Sequence, residues 1–229
     1  MRRTSNYTVI TIIALIISNF SAIAQQTEKV DTVPWWNGFR VELDVAAPIF
    51  TVIGISESYA TEGAVQFNLK RKYFPVVELG VSGIKNKTSV NGAIFSTDGM
   101  FGRAGADINL LKQKPGKPLT DNLFLVGGRV GMSSFSYDLM NVTIADDYWG
   151  TTVVRDYPNT PATKWWFEVV VGMRVEIVRN VFLGWSVRNK HFFRAETGGE
   201  IYPYFVPGYG ISQSGNWAFN YTVGYKFNL

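Results

Sequence analysis

The stretch WAFNYTVGYKFNL, residues 217–229, alternates with period two. Trp217, Phe219, Tyr221, Val223, Tyr225, Phe227 and Leu229 are aromatic or aliphatic, and Ala218, Asn220, Thr222, Gly224, Lys226 and Asn228 between them are small or polar. Successive side chains of a strand point to opposite faces, so this segment has one greasy face and one polar face. Seven apolar side chains in a row need a second layer to cover them, and a single strand supplies none.

The same pattern recurs along the chain. It appears in 39–45 (FRVELDV), 59–70, 75–84, 99–110, 122–134, 164–177 and 181–193. The clearest case is 164–177, where Trp165, Phe167, Val169, Val171, Met173, Val175 and Ile177 oppose Glu168, Gly172, Arg174 and Glu176. Apolar residues sit at i, i+2, i+4 and not at helical spacing. With the final segment this gives about eight strands, each near the 9–11 residues a tilted membrane strand needs. Odd connections (46–58, 85–98, 135–163, 194–215) are long and even ones (71–74, 111–121, 178–180) mostly shorter, as in a barrel with long outer loops and short periplasmic turns.

The start of the chain predicts export. Arg2 and Arg3 form a basic n-region, Val9 to Ile17 a short apolar run, and Ala22 and Ala24 supply small residues before Gln25, so cleavage is expected after Ala24. That run is shorter than the roughly 20 residues a membrane helix needs. Residues 25–34 are polar and predict a periplasmic lead-in, with residues 35–229 as one barrel domain. Losing Arg2 and Arg3 leaves 20 basic residues against 18 acidic, net +2. So near-neutral a chain gives no reason to expect nucleic-acid binding. Zero cysteines exclude disulfides, thiolate metal sites and cysteine nucleophiles.

Alternation does not say which face points outward, and a soluble lipocalin-like barrel reverses them. The polar face decides the expectation. It carries Glu42, Asp44, Glu62, Glu78, Asp107, Glu168 and Glu176 against Arg40, Lys70, Arg103, Arg129, Arg174, Arg188, Lys190 and Lys226. Such balance suits a narrow, paired interior. Trp35, Trp36, Tyr59, Tyr73, Phe74, Trp165, Trp217, Tyr225 and Phe227 collect at strand ends, where bilayer girdles lie. The prediction is an all-β, single closed antiparallel transmembrane barrel of about eight strands.

Tyr221, Tyr225, Phe227 and Leu229 resemble the C-terminal signal read by the outer-membrane barrel assembly machinery, with Leu229 in place of the commoner terminal Phe. RAGADINLLK (103–112), GGRVGMSSFSYD (127–138), DDYWG (146–150), WWFEVVVGMRVEIVRNVFLGWSVR (165–188), VPGYG (206–210) and FNYTVGYKFNL (219–229) carry a wider resemblance. The chain is similar to an uncharacterised Bacteroidota family of small outer-membrane β-barrels, catalogued as a domain of unknown function. The resemblance implies location and fold, and no reaction. Expected partners are outer-membrane lipid and lipopolysaccharide, with the assembly machinery and periplasmic chaperones during biogenesis. No cofactor or metal is expected.

Several residues invite a functional reading. His191, the single histidine, is followed by Phe192 and Phe193 and lacks the serine of a lipid A deacylase pattern. An interfacial role is favoured over general-base catalysis, which needs a partner in hydrogen-bond reach. Asp146 and Asp147 beside Trp149 are an acidic loop pair without the further oxygen ligands calcium requires. The segment 200–210 (EIYPYFVPGYG) carries Tyr202, Tyr204, Phe205 and Tyr209, a large apolar load for a connection, for which strand extension and packing rank ahead of binding. The Gly127–Gly131 run lies within a strand and opens no helix, and Lys114–Lys117 lacks the first glycine of a phosphate loop. Asp31, Thr32 and Val33 match a short bacterial O-glycosylation pattern. The expected function is a structural or surface-interaction role through the outer loops. A lipid A-modifying enzyme, a narrow channel and a soluble periplasmic binder are the alternatives.

Overall fold

The computed structural model describes residues 34–52, 54, 57–89, 92–112, 121–145, 152–193 and 202–228. The expected cleavage site at Ala22, Ala24 and Gln25, Thr32, and also Asp146, Asp147, Trp149 and Leu229 lie outside them.

The elements run β1 (Trp36–Asp44), α1 (Ala46–Val52), β2 (Ser58–Leu69), β3 (Tyr73–Thr88), β4 (Ile94–Asn109), β5 (Leu123–Ala145), β6 (Thr152–Val178), β7 (Val181–Phe192), β8 (Phe205–Val206), β9 (Gly210–Ile211) and β10 (Asn216–Phe227). Eight strands close into an antiparallel ring in the order β1-β10-β7-β6-β5-β4-β3-β2. The opening stretch makes the seam: β10 pairs with β1 from Phe39 opposite Phe227 to Asp44 opposite Thr222. Closure leaves no free edge around the ring.

The alternation becomes two surfaces. Leu79, Met100, Trp165 and Trp217 stand 63, 69, 51 and 71% exposed on the outside, whereas their neighbours Glu78, Arg103, Glu168 and Arg188 are buried inside. Tyr221, Tyr225 and Phe227 are also on the outer face.

Three expectations change. Within the expected loops 85–98 and 135–163 the strands continue, β3 to Thr88 and β4 from Ile94, β5 to Ala145 and β6 from Thr152, and β6 reaches 27 residues. Their alternation persists with its faces exchanged: Ile84, Phe95, Phe135 and Tyr137 turn inward and are buried, while Lys85, Asp98, Ser134, Ser136 and Asp138 face out. The inversion hides the strand from a count that follows one apolar face. Phe74, expected in an aromatic girdle, is 1% exposed and packs inside with Leu123 and Leu125. Lys70, expected on the interior face, is exposed in the β2–β3 turn, because Lys70 and Arg71 adopt positive φ and end the strand.

Asn141 and Asn159 also adopt positive φ, at register shifts of the β5–β6 hairpin. Asn141 donates its backbone N–H to Asp156 and Asn159 donates its own to Asp138, each at 2.7 Å. Asparagine tolerates this conformation better than other side chains, so the two bulges are reciprocal kinks with an aspartate bracing each.

Candidate functional site

The interior is layered. At the end with the short turns, Phe74, Leu123 and Leu125 form an apolar floor, and Phe182 lies nearby with the Arg40 guanidinium 4.2 Å from its ring centre. Above the floor lie six carboxylates (Glu42, Asp44, Glu62, Glu78, Asp107, Glu168) and six cations (Arg40, Arg103, Arg129, Arg174, Arg188, Lys190). Strand register brings opposites together: Glu78 sits across from Arg103, Arg129 from Glu168, and Glu168 from Lys190. Opposite charges on adjacent inward positions stabilise the pairing.

Glu78 is the hub. It accepts from Arg103 Nη1 at 3.0 Å, Arg129 Nε at 3.2 Å and Arg188 Nη1 at 2.5 Å. Arg129 also donates two 2.8 Å bonds to Asp107, and Arg174 Nε meets both oxygens of Glu42 at 2.8 and 2.9 Å. Asp44 accepts the Ala46 and Tyr221 N–H groups and the Asn220 amide, so it ties α1 to the seam. Glu176, expected among these charges, is only half-buried and accepts the Asn180 N–H at the β6–β7 turn instead. Lys226 pairs with Asp121 at the same end. Among these charges lies a cavity of about 10 Å³ lined by Glu42, Glu62, Glu78, Arg129, Arg174 and Arg188, room for about one water. Charges so buried are costly unless paired or hydrogen-bonded; ten of these twelve lie in ion pairs, and Asp44 and Lys190 are held by hydrogen bonds instead.

The other end is closed by the chain itself. The β8–β9 hairpin turns into the mouth, and Phe205, Val206 and Tyr209 join Ile84, Phe95, Phe101, Phe135, Tyr137 and Trp166 in one buried cluster. Phe192 stacks on Tyr209 at 3.8 Å between ring centres. Beneath the aromatic roof, the Gly208 carbonyl accepts from Arg103 Nη2 at 2.8 Å and Lys190 Nζ at 2.7 Å, and the Gly208 N–H donates to Ser82 Oγ at 2.8 Å. A Cβ on Gly208 would lie 2.4 Å from the Phe101 ring, and its φ is +79°, so glycine alone fits there. Tyr209 donates its hydroxyl to the Gln213 carbonyl at 2.7 Å, and burial raises its pKa.

Seven loop residues were expected as contact candidates, of which Asp146, Asp147 and Trp149 lie outside the described residues. As contacts Phe205 and Tyr209 are corrected, since both are buried in this hairpin; Tyr202 is half-buried, and Tyr204 remains on the surface. Aromatic weight in 200–210 was the visible signal, but which side chains enter depends on Arg103, more than a hundred residues earlier. Lys190 and Trp166 matter more than their positions suggested. Trp166 is 0% exposed and donates its indole N–H to Glu168 at 2.7 Å. It fits because the facing residue is Gly131, where a Cβ would lie 2.3 Å from the indole.

His191 stacks on Phe167 at 5.3 Å between ring centres, and its nitrogens approach the Ser214 carbonyl and the Asn189 amide oxygen. Those partners tether the returning chain to β7. Neither is the hydroxyl or carboxylate of a nucleophile–base–acid set. Among the described residues, no group of three or more metal-ligating side chains is placed to hold an ion.

No curated protein matches the sequence. The chain belongs to the family described as Domain of unknown function (DUF6048), whose profile matches residues 4–229.

Proposed function

We propose that this family member is an exported integral β-barrel of the outer membrane of a Gram-negative bacterium, a small eight-stranded barrel of the Bacteroidota type. Its lumen is structural, and it meets surface partners through the β5–β6 hairpin. The observation that carries this is the exchange of faces along β3, β4 and β5. From Val77 to Val81, Met100 to Ala104 and Val130 to Met132 apolar side chains point out while Glu78, Arg103 and Arg129 point in; beyond these stretches Ile84, Phe95, Phe135 and Tyr137 point in, and Lys85, Asp98, Ser134, Ser136 and Asp138 point out. A strand leaving lipid for water changes face in this way, because the surrounding solvent changes.

The apolar band has the right height. Trp217 to Tyr225 on β10 is eight strand steps and Trp165 to Val175 on β6 is ten. At about 3.4 Å per step and a tilt near 40°, that is roughly 21–26 Å, against a band of about 25 Å in outer-membrane barrels. Floor and roof both close the lumen, which supports a non-conducting role. Residues Thr152 to Lys164 of β6 stand beyond the band, by up to roughly 34 Å on the same geometry. They present Val153, Val154 and Arg155 on the surface.

Because the chain has no cysteine, single cysteines report topology cleanly. Val154→Cys is expected to react with a membrane-impermeant maleimide on intact cells. Lys72→Cys, at the turn end, should react only after permeabilisation, and Leu79→Cys in neither condition. Leu79→Cys reacting as readily as Val154→Cys would refute the membrane assignment. Equal labelling with Val154→Cys silent on intact cells would refute the surface role.

A further inference from the structure

Among the described residues, charge is distributed unequally between the two ends of the barrel. The loop end balances Lys85, Lys87, Arg155 and Lys164 against Glu57, Asp98, Asp138 and Asp156. The turn end sets six cations, Lys70, Arg71, Lys72, Lys112, Arg179 and Lys226, against Asp121 and Glu176. Asp121 already carries two of the six, Arg71 at 3.2 Å and Lys226 at 2.6 Å. Lys70, Lys72, Lys112 and Arg179 are exposed and have no carboxylate partner among the described residues.

Two of these lysines lie over exposed aromatic rings: Lys70 Nζ is 4.8 Å from the Trp35 ring centre and Lys72 Nζ 5.3 Å from that of Tyr73. The turn that displays them is strained. Lys70 and Arg71 have φ of 52° and 53°, and Lys72 N–H closes the turn on the Leu69 carbonyl at 3.1 Å. Both central positions of such a turn favour Asn or Gly. Non-glycine residues held there cost stability, and such strain gathers where a ligand is met.

We propose that the turn end is a cation–aromatic collar that binds the phosphates of anionic phospholipids in the leaflet around it. The Trp35 and Tyr73 rings sit at headgroup depth and hold the ammonium groups of Lys70 and Lys72 toward that layer. Lys112 and Arg179 extend the collar around the turn end. The collar depends on the membrane placement proposed above.

The test uses the full-length protein reconstituted into phosphatidylcholine vesicles, with a bimane on Asn37→Cys at the turn end or on Val52→Cys, 86% exposed in α1 at the loop end. Brominated phosphatidylglycerol or brominated phosphatidylcholine is the quencher. The expected result is that phosphatidylglycerol quenches the turn-end probe at roughly twenty-fivefold lower mole fraction than phosphatidylcholine does, given about fivefold for each of Lys70 and Lys72 near a charged surface. The loop-end probe shows no preference. The Lys70→Asn/Lys72→Gln variant shrinks the difference at least about tenfold, while its unfolding temperature is unchanged or higher because Asn suits the turn. A preference that is absent, or that is undiminished in this variant, overturns the collar. No quenching of either probe by either lipid overturns the membrane placement and the collar together.

Discussion

Replacing Glu78 by Gln removes the hub of the interior without changing its shape. Three guanidinium groups converge on that carboxylate, from Arg103, Arg129 and Arg188. All four side chains are at most 4% exposed, so water does not replace the lost charge. The amide keeps one acceptor oxygen but turns its NH₂ toward a cation, and the balance of six against six becomes five against six. Removing one partner of a buried pair costs about 3–5 kcal/mol. Glu62, Glu168 and Asp107 still hold the arginines, which places the cost at the lower end of that range. At about 2–4 °C per kcal/mol for a chain of this size, a cost of about 3 kcal/mol is a loss of roughly 6–12 °C in unfolding temperature. The assay is the temperature at which the folded barrel in detergent loses its strand signal by circular dichroism. Glu78→Gln/Arg188→Gln restores neutrality and should recover part of the loss, so the two changes are non-additive. If Glu78→Gln melts within about 2 °C of the natural protein, or the double variant loses the sum of the singles, the network does not hold the barrel together as described.

Three further outcomes follow from the geometry. Gly131→Ala drives a Cβ into the Trp166 indole and should cost about 1–3 kcal/mol, whereas Gly128→Ala on the outer face, with its nearest atom at 3.7 Å, should be neutral; urea unfolding of both variants checks this. Lys190→Met removes a cation that binds the Gly208 and Tyr209 carbonyls, so a cysteine at buried Pro207 should label at least about tenfold faster, one lost charge-assisted hydrogen bond being worth about 1.5–3 kcal/mol; an unchanged rate means aromatic packing alone seats the hairpin. Thr152–Lys164 of β6 pair with β5 and extend beyond β7, and Pro158 and Pro161 blunt that edge. Their joint replacement by Thr should therefore make the purified protein self-associate in light scattering.

Much of this barrel is legible in the sequence because outward apolar and inward charged side chains have the strongest contrast a period-two pattern can have. Arg40, Glu42, Asp44, Glu78, Arg103, Asp107, Arg129, Glu168, Arg174 and Arg188 all occupy inward positions, and each follows from its place in an alternating run. The hairpins beyond the band are not legible in the same way. Ser134, Phe135, Ser136 and Tyr137 keep the period but reverse its phase, so they read as loop to a count that follows one apolar face. Phe74 and Trp166 share the inward parity of Glu78 and Glu168, and Trp166 finds room there because Gly131 faces it. The mouth depends on contacts that span the chain: Gly208 meets Ser82 and Arg103, and no local pattern joins residues so far apart.

The central claim is a closed barrel whose charged interior is sealed and whose outside is solvated by lipid. The most direct test is to isolate membranes from cells making the protein and run it on SDS gels with and without boiling. The account predicts that it fractionates with the outer membrane, needs detergent for release, and migrates at a different apparent mass before boiling than after. A protein recovered in the soluble periplasmic fraction, with the same mobility in both lanes, would contradict it.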